Sequence, residues 1–278
     1  MLNQFAISID IHAAPLTLFT VGGFSITNSF LTGIVSSILL ITVFMYVSRM
    51  VRAGRYNRFV GLAQWAFEGM LGQVYSVIPD KKLARKVAPL ALTIFFAMLF
   101  SYWMSVLPGL ESVTYEGKAV LRSVAADLNF TTAVALVVFM TVQFYAVRAH
   151  GNIGNLKRYI RNPLKDPIGS FEGFLELIGE VSRYIALSVR MFGNCFAGEI
   201  LLIIVSVLTS YLAAVILPFF MAFELFIGFI QAYVFFMLTI IFTSLAVESH
   251  GAHDEDANIT SVDHSPSDTH PRAAVQSE

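Results

Sequence analysis

The residues of this sequence best suited to chemistry are charged side chains set inside long apolar stretches. Between residues 171 and 247, where most side chains are apolar, the charged ones are Glu172, Glu176, Glu180, Arg183, Arg190, Glu199 and Glu224. A charge in the hydrocarbon of a membrane costs about 2.5–3.5 kcal/mol on insertion scales, so charges kept there usually mark ion pathways. The pattern therefore predicts a route for ions through a membrane.

Helical geometry sorts these charges by direction. With about 3.6 residues per turn, Arg183 lies about 20° around a helix from Arg190, and Glu176 and Asn194 each lie about 40° away. These four side chains form one polar stripe, whereas Glu199, nine residues after Arg190, falls on the opposite face. One helix is thus expected to present an arginine to one neighbour and a carboxylate to another.

The next apolar stretch carries a second polar face. Glu224, Gly228 and Gln231 share it through spacings of four and three residues. A hydrogen-bonded structural role is the alternative to ion transport for Glu199, Glu224 and Gln231.

Arg190 differs from Arg183 in its sequence neighbours. Arg183 follows Glu176 and Glu180 on its own helix, whereas no acid lies three or four residues from Arg190. An arginine attracts a carboxylate at 4 Å by about 4 kcal/mol at an effective dielectric constant near 20, and so favours proton release from it. We therefore expect the counter-charge of Arg190 from elsewhere, another chain included. The alternatives are a pair with Glu224 or snorkelling to a lipid headgroup.

Composition points to a lipid environment. Of the 278 residues, 56% are hydrophobic and 13% are charged, against about 25% charged in soluble domains. A net charge of −1 gives no basic character for nucleic acid. A single cysteine and the absence of nucleotide-binding or HExxH motifs predict no disulfide, cofactor or metal.

The apolar runs predict an all-α integral membrane protein. About five membrane-embedded helices are expected within residues 27–247, because a bilayer needs about 20 apolar residues per span. Residues 57–78 have a helical period with one apolar face and predict an amphipathic surface helix. As one helix, 38 residues (171–208) would extend about 57 Å and would have to tilt steeply, kink or leave the bilayer. We expect the last two helices, within 171–247, to be long and steeply tilted.

Charge placement predicts orientation and the chain ends. Lysines and arginines cluster in the segments that follow the first and third spans, and we expect these basic segments to face the cytoplasm. The residues are Arg49, Arg52, Arg55, Arg58, Lys81, Lys82, Arg85, Lys86, Arg148, Lys157, Arg158, Arg161 and Lys165. Residues 1–26 then lie outside. Residues 248–278 read as a disordered acidic tail inside, and metal binding by the tail's histidines is the weaker alternative.

Two segments carry a resemblance to a known family. The sequence SVRMFGNCFAGE (188–199) and the sequence FELFIGFIQAYVF (223–235) closely resemble two motifs of subunit a, from the membrane (Fo) sector of F-type ATP synthase. Upstream, its middle spans are resembled by APLALTIF (88–95), VLPG (106–109) and ADLNFTTAVAL (126–136). The likeness runs in order over about residues 30–248.

The resemblance implies roles for individual residues. Arg190 matches the essential arginine that faces the carboxylates of the rotating c-ring, and Glu199 and Glu224 match the two polar half-channel positions. Asn194 and Gln231 match polar residues near the arginine, and Glu176 matches an acid one face away.

The chain departs from the family pattern in two places. Glu199 and Glu224 are both glutamate where the family has a glutamate and a histidine. Tyr102 and Ser105 stand where some relatives place asparagine and aspartate.

The implied function is proton translocation as a stator subunit, not an enzyme on its own. The implied partners are the c-ring, peripheral-stalk subunit b, other ATP synthase subunits and lipid, and the expected location is a bacterial plasma (inner) membrane, with an organellar inner membrane as the alternative. A secondary H⁺ or cation transporter with a buried Arg/Glu site and a non-conducting scaffold are rival hypotheses. The sequence leaves the choice of H⁺ or Na⁺ open.

Overall fold

A computed structural model describes residues 15–107, 114–115, 118–159, 167–209 and 212–248. Within these ranges the chain forms six helices and two short β-hairpins. Expectations for residues 1–14, for the tail from residue 249 on, and for Arg161 and Lys165 concern positions outside the described ranges.

A β-hairpin precedes the first helix. Strands β1 (Thr17–Val21) and β2 (Phe24–Thr27) pair antiparallel around Gly22 and Gly23, which both have positive φ. Positive φ at both central residues is what a tight two-residue hairpin turn demands, and glycine meets it without strain. The Thr27 side chain then accepts a hydrogen bond from the backbone of Phe30 and caps α1 (Asn28–Arg52).

The predicted amphipathic helix is present as α2 (Arg58–Val77). Asn57 caps it by accepting a hydrogen bond from the backbone of Arg58 at 2.7 Å. Val74 is buried and packs with Met70 in the core, whereas Leu62, on the same predicted face, is exposed. The apolar face of α2 is therefore divided between the protein and its surroundings.

Four longer helices follow. They are α3 (Lys81–Ser105), α4 (Leu128–Tyr159), α5 (Pro167–Thr209) and α6 (Ala213–Glu248), with the two-residue strands β3 (Thr114–Tyr115) and β4 (Lys118–Ala119) between α3 and α4. Five helices, all but α2, are long and apolar enough to cross a membrane. The prediction of an all-α membrane protein is confirmed.

The last two helices are each continuous. α5 has 43 residues and α6 has 36, and at 1.5 Å per residue they extend about 64 Å and about 54 Å. A hydrocarbon core is about 30 Å thick, so neither helix can stand upright within it. Pro218 lies near the start of α6, where the helix runs on past it.

Neighbouring long helices run antiparallel and give the bundle two ends. α4 pairs with α5 from Thr132–Ser188 to Gln143–Glu180, and α5 pairs with α6 from Gly198–Glu224 to Arg183–Phe242. We call the end with the β1–β2 hairpin and residues 120–127 the hairpin end. The opposite end, where α1 finishes and α3 begins, is called the basic end.

Helix α6 lies at the centre of the packing and contacts α3, α4 and α5. Its side chains Phe235 and Phe236 are fully buried, and Phe236 meets Phe95 of α3 edge-on at 5.8 Å. By contrast, only 11% of the apolar window of α1 is buried. The core is thus built by α3 to α6, with α1 and α2 against the outer side of α3.

Replacing Gly228 by alanine should destabilise this core, because the added Cβ would overlap the Tyr102 ring of α3. Overpacking of this kind costs about 1–3 kcal/mol. Thermal unfolding in detergent measures the loss. Gly179→Ala on α5, where the added Cβ meets nothing within 4 Å, is the matched control. Equal stability of the two variants would contradict the close α3–α6 contact.

Candidate functional site

The two carboxylates predicted on neighbouring helices lie at the same level. The Glu224 carboxylate of α6 lies so close to Gly198 of α5 that a Cβ at position 198 would overlap it. Glu199 follows Gly198 directly and is half-buried. Since α5 ends and α6 begins at the hairpin end, both carboxylates lie in that half of the bundle.

Glu224 has a specific partner on α3. It is buried, with 5% of its surface exposed, and the fully buried Tyr102 donates a hydrogen bond from its hydroxyl to Oε1 at 2.6 Å. One residue on, Trp103 Nε1 donates to the carbonyl of Leu225 at 3.1 Å. Helices α3 and α6 are therefore held together at the level of the carboxylate.

Small polar side chains continue from this level towards the hairpin end. The Cys195 thiol of α5 lies 3.0 Å from the Ser123 hydroxyl, and it donates to the Ser105 hydroxyl of α3 at 3.7 Å. Cys195 lies one helical turn before Gly198 and Glu199 on α5. The thiol thus lies between the carboxylate pair and the segment of residues 120–127.

A second buried polar cluster lies where α1 and α4 begin. Ser29 donates a hydrogen bond to Asp127 Oδ2 at 2.6 Å, and Asp127 Oδ1 accepts the backbone N–H of Asn129 at 2.9 Å. The Thr32 hydroxyl accepts the backbone N–H of Arg122 at 3.1 Å. Both Asp127 and Arg122 are only 8% exposed. Charged groups thus extend into the bundle from the hairpin end.

Asn194 and Gln231 meet between the carboxylates and Arg190. Asn194 Nδ2 donates to Gln231 Oε1 at 3.3 Å. The other polar atom of the Gln231 amide, Nε2, is buried and has no hydrogen-bond partner among the described residues. The amide pair therefore keeps one donor available at the α5–α6 contact.

Arg190 faces outward from the bundle. It is exposed, and within the described ranges it makes no hydrogen bond or ion pair. It lies near the midpoint of α5, so about 28 Å of helix separates it from the nearer end. Glu224, the internal partner considered for it, bonds to Tyr102 instead. The Arg190 side chain is therefore accessible to groups outside the described residues.

The charges on the basic side of Arg190 have other neighbours. Arg183 donates from Nε to the carbonyl of Gly179 at 3.2 Å, and its guanidinium lies 4.7 Å from the centre of the Phe242 ring. Glu180 accepts a hydrogen bond from Gln143 of α4 at 2.7 Å. Glu176 is half-buried one turn further on. Acidic side chains therefore lie on both sides of Arg190 along the helix.

Sequence reasoning missed Tyr102 as a partner of Glu224, together with the cluster around Asp127. Tyrosine in an apolar span is common, and no spacing rule links residues on α3 and α6. Asp127 carries a detectable signal, because an acid directly before an apolar run is a typical helix cap. The described ranges contain no group of three or more His, Cys, Asp or Glu side chains that could bind a metal ion.

Comparison with known proteins points to one family. A family model described as ATP synthase A chain matches residues 30–244. ATP synthase subunit a of Mycobacterium ulcerans is 31% identical over 248 residues, which cover 87% of this chain and 94% of the relative. The same subunit of Mycobacterium tuberculosis is 33% identical, covering 82% and 89%, and that of Buchnera aphidicola is 30% identical, covering 80% and 83%.

Replacing Tyr102 by phenylalanine should leave the buried Glu224 carboxyl without this hydroxyl donor. We expect the infrared carboxyl band of Glu224, identified by its loss in Glu224→Gln, to shift, and the free energy of unfolding to fall by about 1–3 kcal/mol. Tyr145→Phe is the control, because that hydroxyl donates to the exposed Lys86 carbonyl. An unmoved band in Tyr102→Phe would mean that the hydroxyl does not bind the carboxyl.

Proposed function

We propose a mechanism for this chain from the premise that it belongs to the ATP synthase A chain family. The chain is a multi-pass, proton-translocating subunit of the Fo sector and works within the ATP synthase complex. The proposal concerns how its own residues move protons and which partners they meet.

The exposed guanidinium of Arg190 carries the proposal. An arginine that faces hydrocarbon near the middle of a spanning helix is costly unless a partner supplies negative charge. Within the described chain Arg190 has no such partner. The c-ring of the rotor supplies it: successive ring carboxylates pass Arg190, which attracts the ionised form and so favours proton release there.

The half-channel on the hairpin side contains both Glu199 and Glu224. Support comes from their common level, the Tyr102 hydrogen bond to Glu224, and the polar contacts that join Cys195 to Ser123. Protons enter from this side and reach the ring through the two carboxyl groups. The family positions of Glu199 and Glu224 thus serve one half-channel rather than one each.

The half-channel on the basic side uses Glu176 and Glu180. They lie beyond Arg190 on α5, and Glu180 is hydrogen-bonded to Gln143. The Asn194–Gln231 pair lies between the hairpin-side carboxylates and Arg190 and orients the ring carboxylate beside the arginine. Protons cannot pass straight from one route to the other, because the positive charge of Arg190 repels them.

Rotation links the two routes. A proton from the hairpin side neutralises a ring carboxylate, which can then enter the lipid, and the ring turns until the carboxylate reaches the basic-side route. The membrane potential supplies about 2.3 kcal/mol per charge per 100 mV. Since the hairpin side faces outside and the basic side faces the cytoplasm, this flow drives ATP synthesis in a bacterial plasma membrane.

Other partners bind outside the α3–α6 core. The sparsely buried α1 offers an apolar surface to lipid and to neighbouring subunits. Peripheral-stalk subunit b is the neighbour proposed for this side.

Arg190→Ala should abolish coupled ATP synthesis and ATP-driven proton pumping, because nothing then favours release from the ring carboxylate. Inverted membrane vesicles report both activities. Arg183→Ala is the matched control on the same stripe and should retain most activity, since Arg183 contacts Gly179 and Phe242 of its own chain. Pumping retained by Arg190→Ala would contradict the role.

Cys195, the single cysteine, tests the hairpin-side route without an engineered label. Silver ions added from the hairpin side should slow proton flux in the wild-type complex and leave Cys195→Ser unaffected, because Ag⁺ reaches thiols through water.

The matched control introduces Ile204→Cys into Cys195→Ser. Ile204 is exposed on the apolar surface of α5, so this variant should stay resistant to silver. Wild-type proton flux that silver leaves unchanged would contradict a water route past Cys195.

A further inference from the structure

A large cavity lies between α1, α2 and α3, away from the proton route. Its volume is about 880 Å³. The walls are mostly apolar and include Leu40, Phe44, Phe67, Leu71, Leu92 and Phe96. Nothing in the proposed mechanism uses this space.

Three arginines line one end of the cavity. Arg49 and Arg52 come from the last turn of α1, and Arg85 comes from the start of α3. All three are exposed, and no acidic side chain lines the cavity within the described ranges. Of the nearby acids, Glu68 accepts a hydrogen bond from Gln64, and Asp80 caps α3 through the backbone of Lys82. The end of the cavity that these arginines line therefore has a net positive charge, which favours an anionic ligand.

The apolar part of the cavity runs along the helices rather than across them. From Arg52 back to Leu40, the lining residues cover about 18 Å of α1, and from Arg85 to Phe96 they cover about 17 Å of α3. Half the thickness of a hydrocarbon core is about 15 Å. The cavity thus has the depth of one leaflet, with its charges at the headgroup level.

Few polar groups line the deep part. Thr93 is one, and its hydroxyl donates to the carbonyl of Pro89 at 2.7 Å within the same helix. A polar peptide or nucleotide would lack partners there, whereas a hydrocarbon chain needs none. The occupant must be acidic at one end and apolar along the rest.

We propose that this cavity binds an anionic phospholipid. Arg49, Arg52 and Arg85 hold the phosphate, and an acyl chain lies along the apolar walls. Basic pockets between spanning helices on the cytoplasmic side are the surfaces that bind acidic headgroups. This inference is independent of the proposed proton route, because its test measures lipid binding alone.

The test uses the purified, delipidated ATP synthase complex, titrated with phosphatidylglycerol or phosphatidylcholine and analysed by native mass spectrometry. Arg49→Gln/Arg52→Gln/Arg85→Gln should weaken phosphatidylglycerol binding by about tenfold or more. The matched control, Arg55→Gln/Arg58→Gln/Lys86→Gln, removes the same charge from side chains that do not line the cavity, and it should change binding less than about twofold.

A second variant tests the apolar part. Thr93→Trp places an indole ring in the apolar part of the cavity and keeps all three arginines, so it should also weaken phosphatidylglycerol binding about tenfold. The triple arginine-to-lysine variant should retain binding, because the charge remains. If the arginine-to-glutamine variant fails to assemble, Thr93→Trp still tests the proposal, and the reverse also holds.

Three outcomes would overturn the proposal. Equal binding of phosphatidylcholine would mean that the charge is not used. Competition by inorganic phosphate with no loss in Thr93→Trp would mean a simple anion site. Unchanged lipid binding together with loss of peripheral-stalk subunit b from the arginine variant would mean that a protein helix, not a lipid, fills the cavity.

Discussion

Hydrocarbon accepts a charged side chain only where something compensates the charge, and this constraint organises the whole bundle. Glu224 meets it inside the chain, through the Tyr102 hydroxyl at 2.6 Å. Arg190 does not meet it within the described residues, although it lies near the midpoint of the longest helix. Glu224 is therefore compensated within the static protein, whereas in the proposed mechanism Arg190 is compensated by a moving partner.

Close helix packing allows the Tyr102 hydroxyl to reach the buried Glu224 carboxylate. Tyr102 reaches Glu224 because Gly228 leaves room for the aromatic ring, and Glu224 fits against α5 because Gly198 has no side chain. Small residues at such crossings let helices approach without a hydrophobic driving force between them. The three helices α3, α5 and α6 therefore meet at one level, where the polar groups lie.

Local patterns were enough to predict much of this structure. The amphipathic period over residues 57–78 predicts a helix that Asn57 caps and that ends at Val77, because both the cap and the period act within a few residues. Spacing on one helix likewise put Glu199 opposite Arg190. The Tyr102–Glu224 contact joins two residues that are 122 positions apart in the sequence, and the Ser123–Cys195 contact joins two that are 72 positions apart. No period or cap specifies such pairs, since they depend on how whole helices are rotated and stacked. For the same reason, the common level of the two glutamates was not predicted.

The contact between Gly198 and the Glu224 carboxylate also constrains how the sequence can drift. A side chain at position 198 would occupy the space that the carboxylate fills, so a mutation that enlarges position 198 requires the Glu224 side chain to move or to become smaller. The two sites are therefore expected to co-vary during divergence.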